Sequence, residues 1–162
     1  MPIGPWSNSS SSNLSFNHWG LNTTAAVTWL DPNIGLELSA APGFTFNWEN
    51  PDTNYTTGTE FHVEFAVLQH FSPKFAVGVA GFHYQQVTGD SGSGAKLGDF
   101  KGRVTSIGPV MTYNFQLGEI PVSTQLMWTH DFDVENRLEG DLGLLTISLP
   151  LSGAAPPPAS LE

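Results

Sequence analysis

The chain contains no cysteine. Disulfides, thiolate nucleophiles and thiolate metal sites are therefore excluded. Basic residues are scarce: 5 Lys and Arg face 15 Asp and Glu in 162 residues, for a formal net charge of −10. A nucleic-acid surface needs clustered positive charge, so that partner class is disfavoured. Charged residues make up only 12% of the chain, well below the ~25% usual in a soluble domain. Long apolar runs are missing too. No stretch of about 18 apolar residues occurs, so no transmembrane helix is expected. Met1-Pro2-Ile3-Gly4 has neither the basic nor the apolar region of a signal peptide. A barrel protein must cross an inner membrane, so the expectation is a chain that begins within a longer protein.

What the sequence has is alternation. From Leu36 to Glu49 every second residue is apolar or Pro: Leu36, Leu38, Ala40, Pro42, Phe44, Phe46 and Trp48. Between them lie Glu37, Ser39, Ala41, Gly43, Thr45, Asn47 and Glu49. Successive strand residues point to opposite faces, so this spacing predicts one long strand with one apolar face. Fourteen residues at about 3.3 Å each span about 45 Å. Soluble strands usually run about 5–6 residues. Tilted at about 45°, the segment would cover the ~25 Å apolar band of an outer-membrane barrel.

The pattern recurs. Residues 60–71 set Phe61, Val63, Phe65 and Val67 against His62, Glu64, Ala66 and Leu68. Residues 103–116 set Ile107, Pro109, Met111, Tyr113 and Phe115 against Ser106, Gly108, Thr112 and Asn114. Further strands are predicted at 25–30, 75–87, 122–132 and 142–151, with a weaker one at Leu14–Leu21. Short connections (31–35, 72–74, 117–121) alternate with long ones (50–59, 88–102, 133–141), as tight inner turns alternate with long external loops in such barrels. Trp29, Trp48, Phe71, Phe115 and Phe132 fall near strand ends, where aromatic girdles sit. Pro42 and Pro109 fall inside strands beside glycines and predict bulges or bends.

The expected fold is all-β: an antiparallel up-and-down transmembrane β-barrel with 7–8 strands in this chain, part of a larger barrel. Residues 1–13 read as an N-terminal loop, 14–151 as the barrel and 152–162 as a disordered Pro/Ala-rich tail. The non-apolar strand faces carry Ser, Thr, Gly, Asn and Gln, while charges gather in loops. A water-soluble barrel with so few charges on its outer faces would be poorly soluble.

Several stretches resemble a known family. They are Asn17-His18-Trp19, Ala26 to Pro32, Tyr84 to Gly94, Gly98 to Val104, Ile107-Gly108-Pro109, Tyr113-Asn114-Phe115 and Phe132 to Asp141. Together they resemble the outer-membrane proteins linked to the meta-cleavage pathway of phenol degradation, across roughly residues 1–151. The chain is similar to the C-terminal portion of those proteins. The resemblance implies a bacterial outer-membrane location and passage or capture of small hydrophobic or aromatic compounds. It implies membrane lipid and barrel-assembly machinery as partners. It brings no catalytic residue set. Many outer-membrane proteins end on an aromatic residue, whereas this chain ends its last predicted strand on Leu149-Pro150-Leu151.

Candidate lumen-lining residues are His62, Glu64, His83, Gln85, Ser106, Asn114 and Gln125, chosen as polar positions within alternating strands. A metal site at His62, Glu64 and His70 is disfavoured, because His70 lies more than about 25 Å along the strand from His62. The run Asp131-Phe132-Asp133-Val134-Glu135 opens like a calcium loop. It places Asn136 where glycine is needed and Leu142 where the closing glutamate belongs. Gly89 to Gly94 fits neither the G-x-S-x-G elbow nor a phosphate loop. No catalytic residue, cofactor or metal is therefore expected. Two alternatives remain open: a lipid-modifying barrel enzyme using a rim serine with His130, and a soluble lipocalin-like barrel.

Overall fold

A computed structural model of the chain describes residues 4–10 and 12–150. The expected tail, 152–162, lies outside the described residues, as does Leu151. Among those described there is no helix. Eight strands form one antiparallel sheet: β1 (Gly20–Thr24), β2 (Val27–Asp31), β3 (Leu36–Asn47), β4 (Glu60–Ser72), β5 (Phe75–Gln86), β6 (Arg103–Leu117), β7 (Ile120–Glu135) and β8 (Asp141–Ser148). The order is β1-β3-β4-β5-β6-β7-β8, with β2 also pairing β3. Every neighbour after β2 is the next strand in the chain, so this is an up-and-down meander curled into a half-barrel.

Eight strands occupy seven lanes. Thr24 pairs with Gly43 and Val27 with Ala40, so β1 and β2 flank β3 in one unbroken register. The break falls opposite Pro42. The Ala25 N–H donates to the Pro42 carbonyl at 3.0 Å, but proline has no N–H to return the bond. Pro42 therefore interrupts the ladder without the expected bulge. Pro109 behaves likewise: it pairs with Val79, and β6 and β7 hold one register on both sides of it. The bulges lie elsewhere, at His70/Ser72 and Arg103/Thr105. The weak strand expected at Leu14–Leu21 forms instead from Gly20 onward.

Short and long connections alternate as the sequence predicts. Gly35 and Gly118 adopt φ of 68° and 64° in two of the short turns, a region open to glycine at little cost. Among the described residues β8 pairs with neither β1 nor β2. The first and seventh lanes run in the same direction. Joining them directly would create a parallel seam, so an antiparallel closure needs an odd number of further strands.

The two faces differ sharply. The convex face exposes Leu38, Phe44, Val67, Val79, Ile107, Met111, Leu126 and Trp128. The concave face holds the small core of Leu68, Ala76, Ala80 and Val110, with Ala66 and Met127 against it. Small residues there give the curl room. A Cβ on Gly78 would stand 1.8 Å from the Val67 carbonyl oxygen, and one on Gly108 1.9 Å from that of Trp128.

Candidate functional site

The concave face is a trough of three open cavities in series. At the long-loop end, a cavity of ≈ 670 Å3 is lined by His62, Glu64, Phe82, Tyr84, Val104, Asp131, Asn136, Arg137 and Leu138. The middle cavity, of ≈ 470 Å3, includes Thr28, Ser39, Glu64, Ala66, Ala80, Phe82, Gln125, Met127, Thr129, Leu142 and Leu144. At the short-turn end, ≈ 400 Å3 is lined by Glu37, Ala66, Leu68, His70, Thr112, Asn114, Ser123, Thr124, Gln125, Thr146 and Ser148. Glu64 and Phe82 belong to the first two cavities, Ala66 and Gln125 to the last two. The trough is thus continuous, polar at both ends and mainly apolar at its waist.

Each end is held by polar side chains. At the mouth, Asn22 Nδ2 lies 2.8 Å from Thr45 Oγ1 and 2.9 Å from His62 Nε2. The Tyr84 hydroxyl donates to Glu60 Oε1 at 2.6 Å. The Arg137 guanidinium sits over the Tyr84 ring, 4.0 Å from its centroid. Its loop is anchored by Asn136 Nδ2 on the Lys101 carbonyl at 2.7 Å and by the Gly140 N–H on Asp131 Oδ2 at 3.1 Å. At the other end, His70 Nε2 meets Glu37 Oε2 at 2.8 Å.

The seven candidate residues do not share this face. His62, Glu64, Ser106, Asn114 and Gln125 lie on it. His83 and Gln85 do not: they pair with Val63 and Phe61 and so lie on the convex face. His83 bonds Thr105 Oγ1 at 2.8 Å, with its ring 6.3 Å from that of Phe61. The physical reason is position along the strand. Near the long loops the convex face turns polar, with His83, Gln85, Arg103 and Thr105 side by side. Polarity alone therefore does not mark the concave side there.

Phe82, Tyr84, Thr129, Asp131 and Arg137 line the trough as well and lie outside the seven candidates, although alternation over 122–132 sets Thr129 and Asp131, with Gln125, opposite Leu126 and Trp128. A signal for Phe82 and Tyr84 existed. They are in phase with Ala76, Gly78 and Ala80, three of the four smallest residues of β5, which lie on the concave side. Arg137 carried no such signal, because it reaches the trough from a loop. Among the described residues no group of three His, Asp or Glu could hold a metal ion.

The long loops are tied above the mouth. Asp90, buried, accepts from the Tyr55 hydroxyl, from the Gly58 N–H at 3.1 Å and from Gln86 Nε2. Burial, with the Asp90 bond and charge adding to it, pushes the Tyr55 hydroxyl up to about 12. His130 and Asp141 lie 3.1 Å apart, both exposed on the convex side.

Sheet and trough define a half-barrel with an apolar exterior and a lined interior. The profile of the family described as "Putative MetA-pathway of phenol degradation" matches residues 1–147. The chain belongs to that family. No curated protein and no solved structure matches it.

Proposed function

We propose that this chain forms part of a β-barrel in the outer membrane of a Gram-negative bacterium. In this reading it passes or captures small hydrophobic or aromatic molecules and performs no catalysis. The observation that carries the reading is the pairing of faces. Large apolar side chains stand exposed on the convex side, while the concave side lines three cavities joined end to end. Exposed apolar patches of this extent are unfavourable in water and favourable against lipid. The alternation of short turns and long loops supports the same placement. The edges of β1/β2 and β8, unpaired among the described residues, fit a larger barrel inserted by assembly machinery, with an odd number of other strands between them.

Liposome swelling with the full-length protein tests the transport reading. Influx of small neutral solutes faster than in protein-free vesicles is expected. No permeability above that background would count against passage. Recovery of the protein as a detergent-free aqueous monomer would favour a soluble binding barrel instead.

A further inference from the structure

The two faces of the sheet carry different charge. Of the five Lys and Arg residues, Lys74 sits in the β4–β5 turn, Lys96 and Lys101 in the β5–β6 loop and Arg137 in the β7–β8 loop. Arg103, paired with Gln85, faces the convex side. The concave strand face carries Glu37, Glu60, Glu64 and Asp131 and no Lys or Arg. These carboxylates are spread from one end of the trough to the other, so the sign belongs to the whole wall. Three of them are answered. Glu37 meets His70, Glu60 accepts from the Tyr84 hydroxyl and Asp131 accepts from the Gly140 N–H. Glu64 is exposed and has no hydrogen-bond or ion-pair partner among the described residues. It stands where the mouth meets the waist, since it lines both cavities. Register sets Ala41, Glu64, Phe82, Ser106 and Asp131 in one row across the sheet. Two carboxylates three strands apart thus flank this step, roughly 14 Å from each other along the sheet at ~4.8 Å per strand.

We propose that Glu64 makes the step from mouth to waist charge-selective, so that small organic cations enter ahead of anions of the same size. Asp131 reinforces its field. Arg137, the one Lys or Arg lining the mouth, opposes it. The inference rests on the open trough of the conduit reading and adds to it the charge of the preferred solute. Low-dielectric walls around the waist carry the field of an unpaired carboxylate further than open water would. Without that carboxylate, an apolar waist would cost ions of either sign their hydration and favour neither.

A single thiol reports the field. Ala66→Cys places it in the waist, two residues beyond Glu64, in a full-length protein otherwise free of cysteine and held in lipid nanodiscs. Two methanethiosulfonates of similar size label it, one bearing a trimethylammonium and one a sulfonate. Each rate is divided by that for free mercaptoethanol, which removes intrinsic reactivity and leaves the local potential. The ammonium reagent is expected to lead by about tenfold. Glu64→Gln is expected to cut that lead about fivefold, Asp131→Asn to cut it less and Arg137→Gln to widen it. Glu64→Asp is expected to retain it. About 1 M salt should shrink it by screening. An unchanged lead in E64Q would overturn the filter, as would a lead of the sulfonate reagent in the wild type. Should E64Q fail to fold, D131N and R137Q serve: opposite shifts are expected, and shifts of one sign or none contradict the filter. Labelling by neutral methyl methanethiosulfonate but by neither charged reagent also overturns it. Labelling by none of the three contradicts the open trough and the filter with it. Liposome swelling is read separately. Absent flux with a Glu64-dependent lead contradicts only passage. Flux without such a lead contradicts only the filter.

Discussion

Arg137 lies face-on over Tyr84, its guanidinium carbon 4.0 Å from the ring centroid. The β7–β8 loop thereby sends its one cation into the mouth of the trough, which Glu64 and Asp131 also line. Stacking of this kind contributes about 0.5–2 kcal/mol, depending on desolvation. It also fixes the loop over the cavity it lines.

Arg137→Ala is therefore expected to loosen residues 136–140 and leave the sheet intact. Limited proteolysis in detergent should cut this loop several-fold faster in the variant, with unchanged β-sheet circular dichroism. Equal cutting rates would show that Asn136 and Gly140 alone hold the loop.

The Tyr55–Asp90 bond makes a pH-dependent latch between the two longest loops. The tyrosine is raised in the folded chain to about 12, above its unfolded value of ~10. The folded state thus binds this proton more tightly. The associated stability is fully present below pH ~10 and is lost as pH rises through about 12. Hydrogen exchange of the Gly58 and Ser91 amides, corrected for intrinsic base catalysis, should show protection falling across that window. Tyr55→Phe should have lower protection at neutral pH and lose the alkaline step. A wild type and variant with identical profiles would contradict the latch.

Gly78 marks the tightest point of the curl. A Cβ there would meet the Val67 carbonyl at 1.8 Å, whereas one on Gly140 finds its nearest atom, Asp131 Oδ2, at 4.0 Å. Gly78→Ala is expected to cost about 1–3 kcal/mol through overpacking against backbone. Gly140→Ala should stay within about 0.5 kcal/mol. Urea midpoints of the micelle-refolded protein compare the two. Equal midpoints would mean that the sheet relaxes freely at Gly78.

The meander was legible because period-two alternation fixes strands locally, and β3, β4 and β6 each carry it over a dozen or more residues. The first lane was harder to place. Its signal is split at Ala25, and the cause is Pro42 on the neighbouring strand, a partner that no local window contains. The concave site was legible where polar and small residues share a phase, as at His62 and Glu64. At His83 and Gln85 they do not, and polarity there reflects the rim rather than the interior. Thr129 and Asp131 were legible from the alternation over 122–132, whereas Arg137 enters from a loop and has no strand phase to read.

The central claim is that lipid bathes the convex face and water the trough. The absence of cysteine makes single-site spin labelling clean. Ile107→Cys and Leu126→Cys place labels on the convex side, Thr112→Cys and Gln125→Cys on the concave side. In reconstituted vesicles, collision rates with oxygen should dominate at 107 and 126, and those with a water-soluble nickel chelate at 112 and 125. Nickel access at 107 and 126, with 112 and 125 reached by neither reagent, would contradict the account.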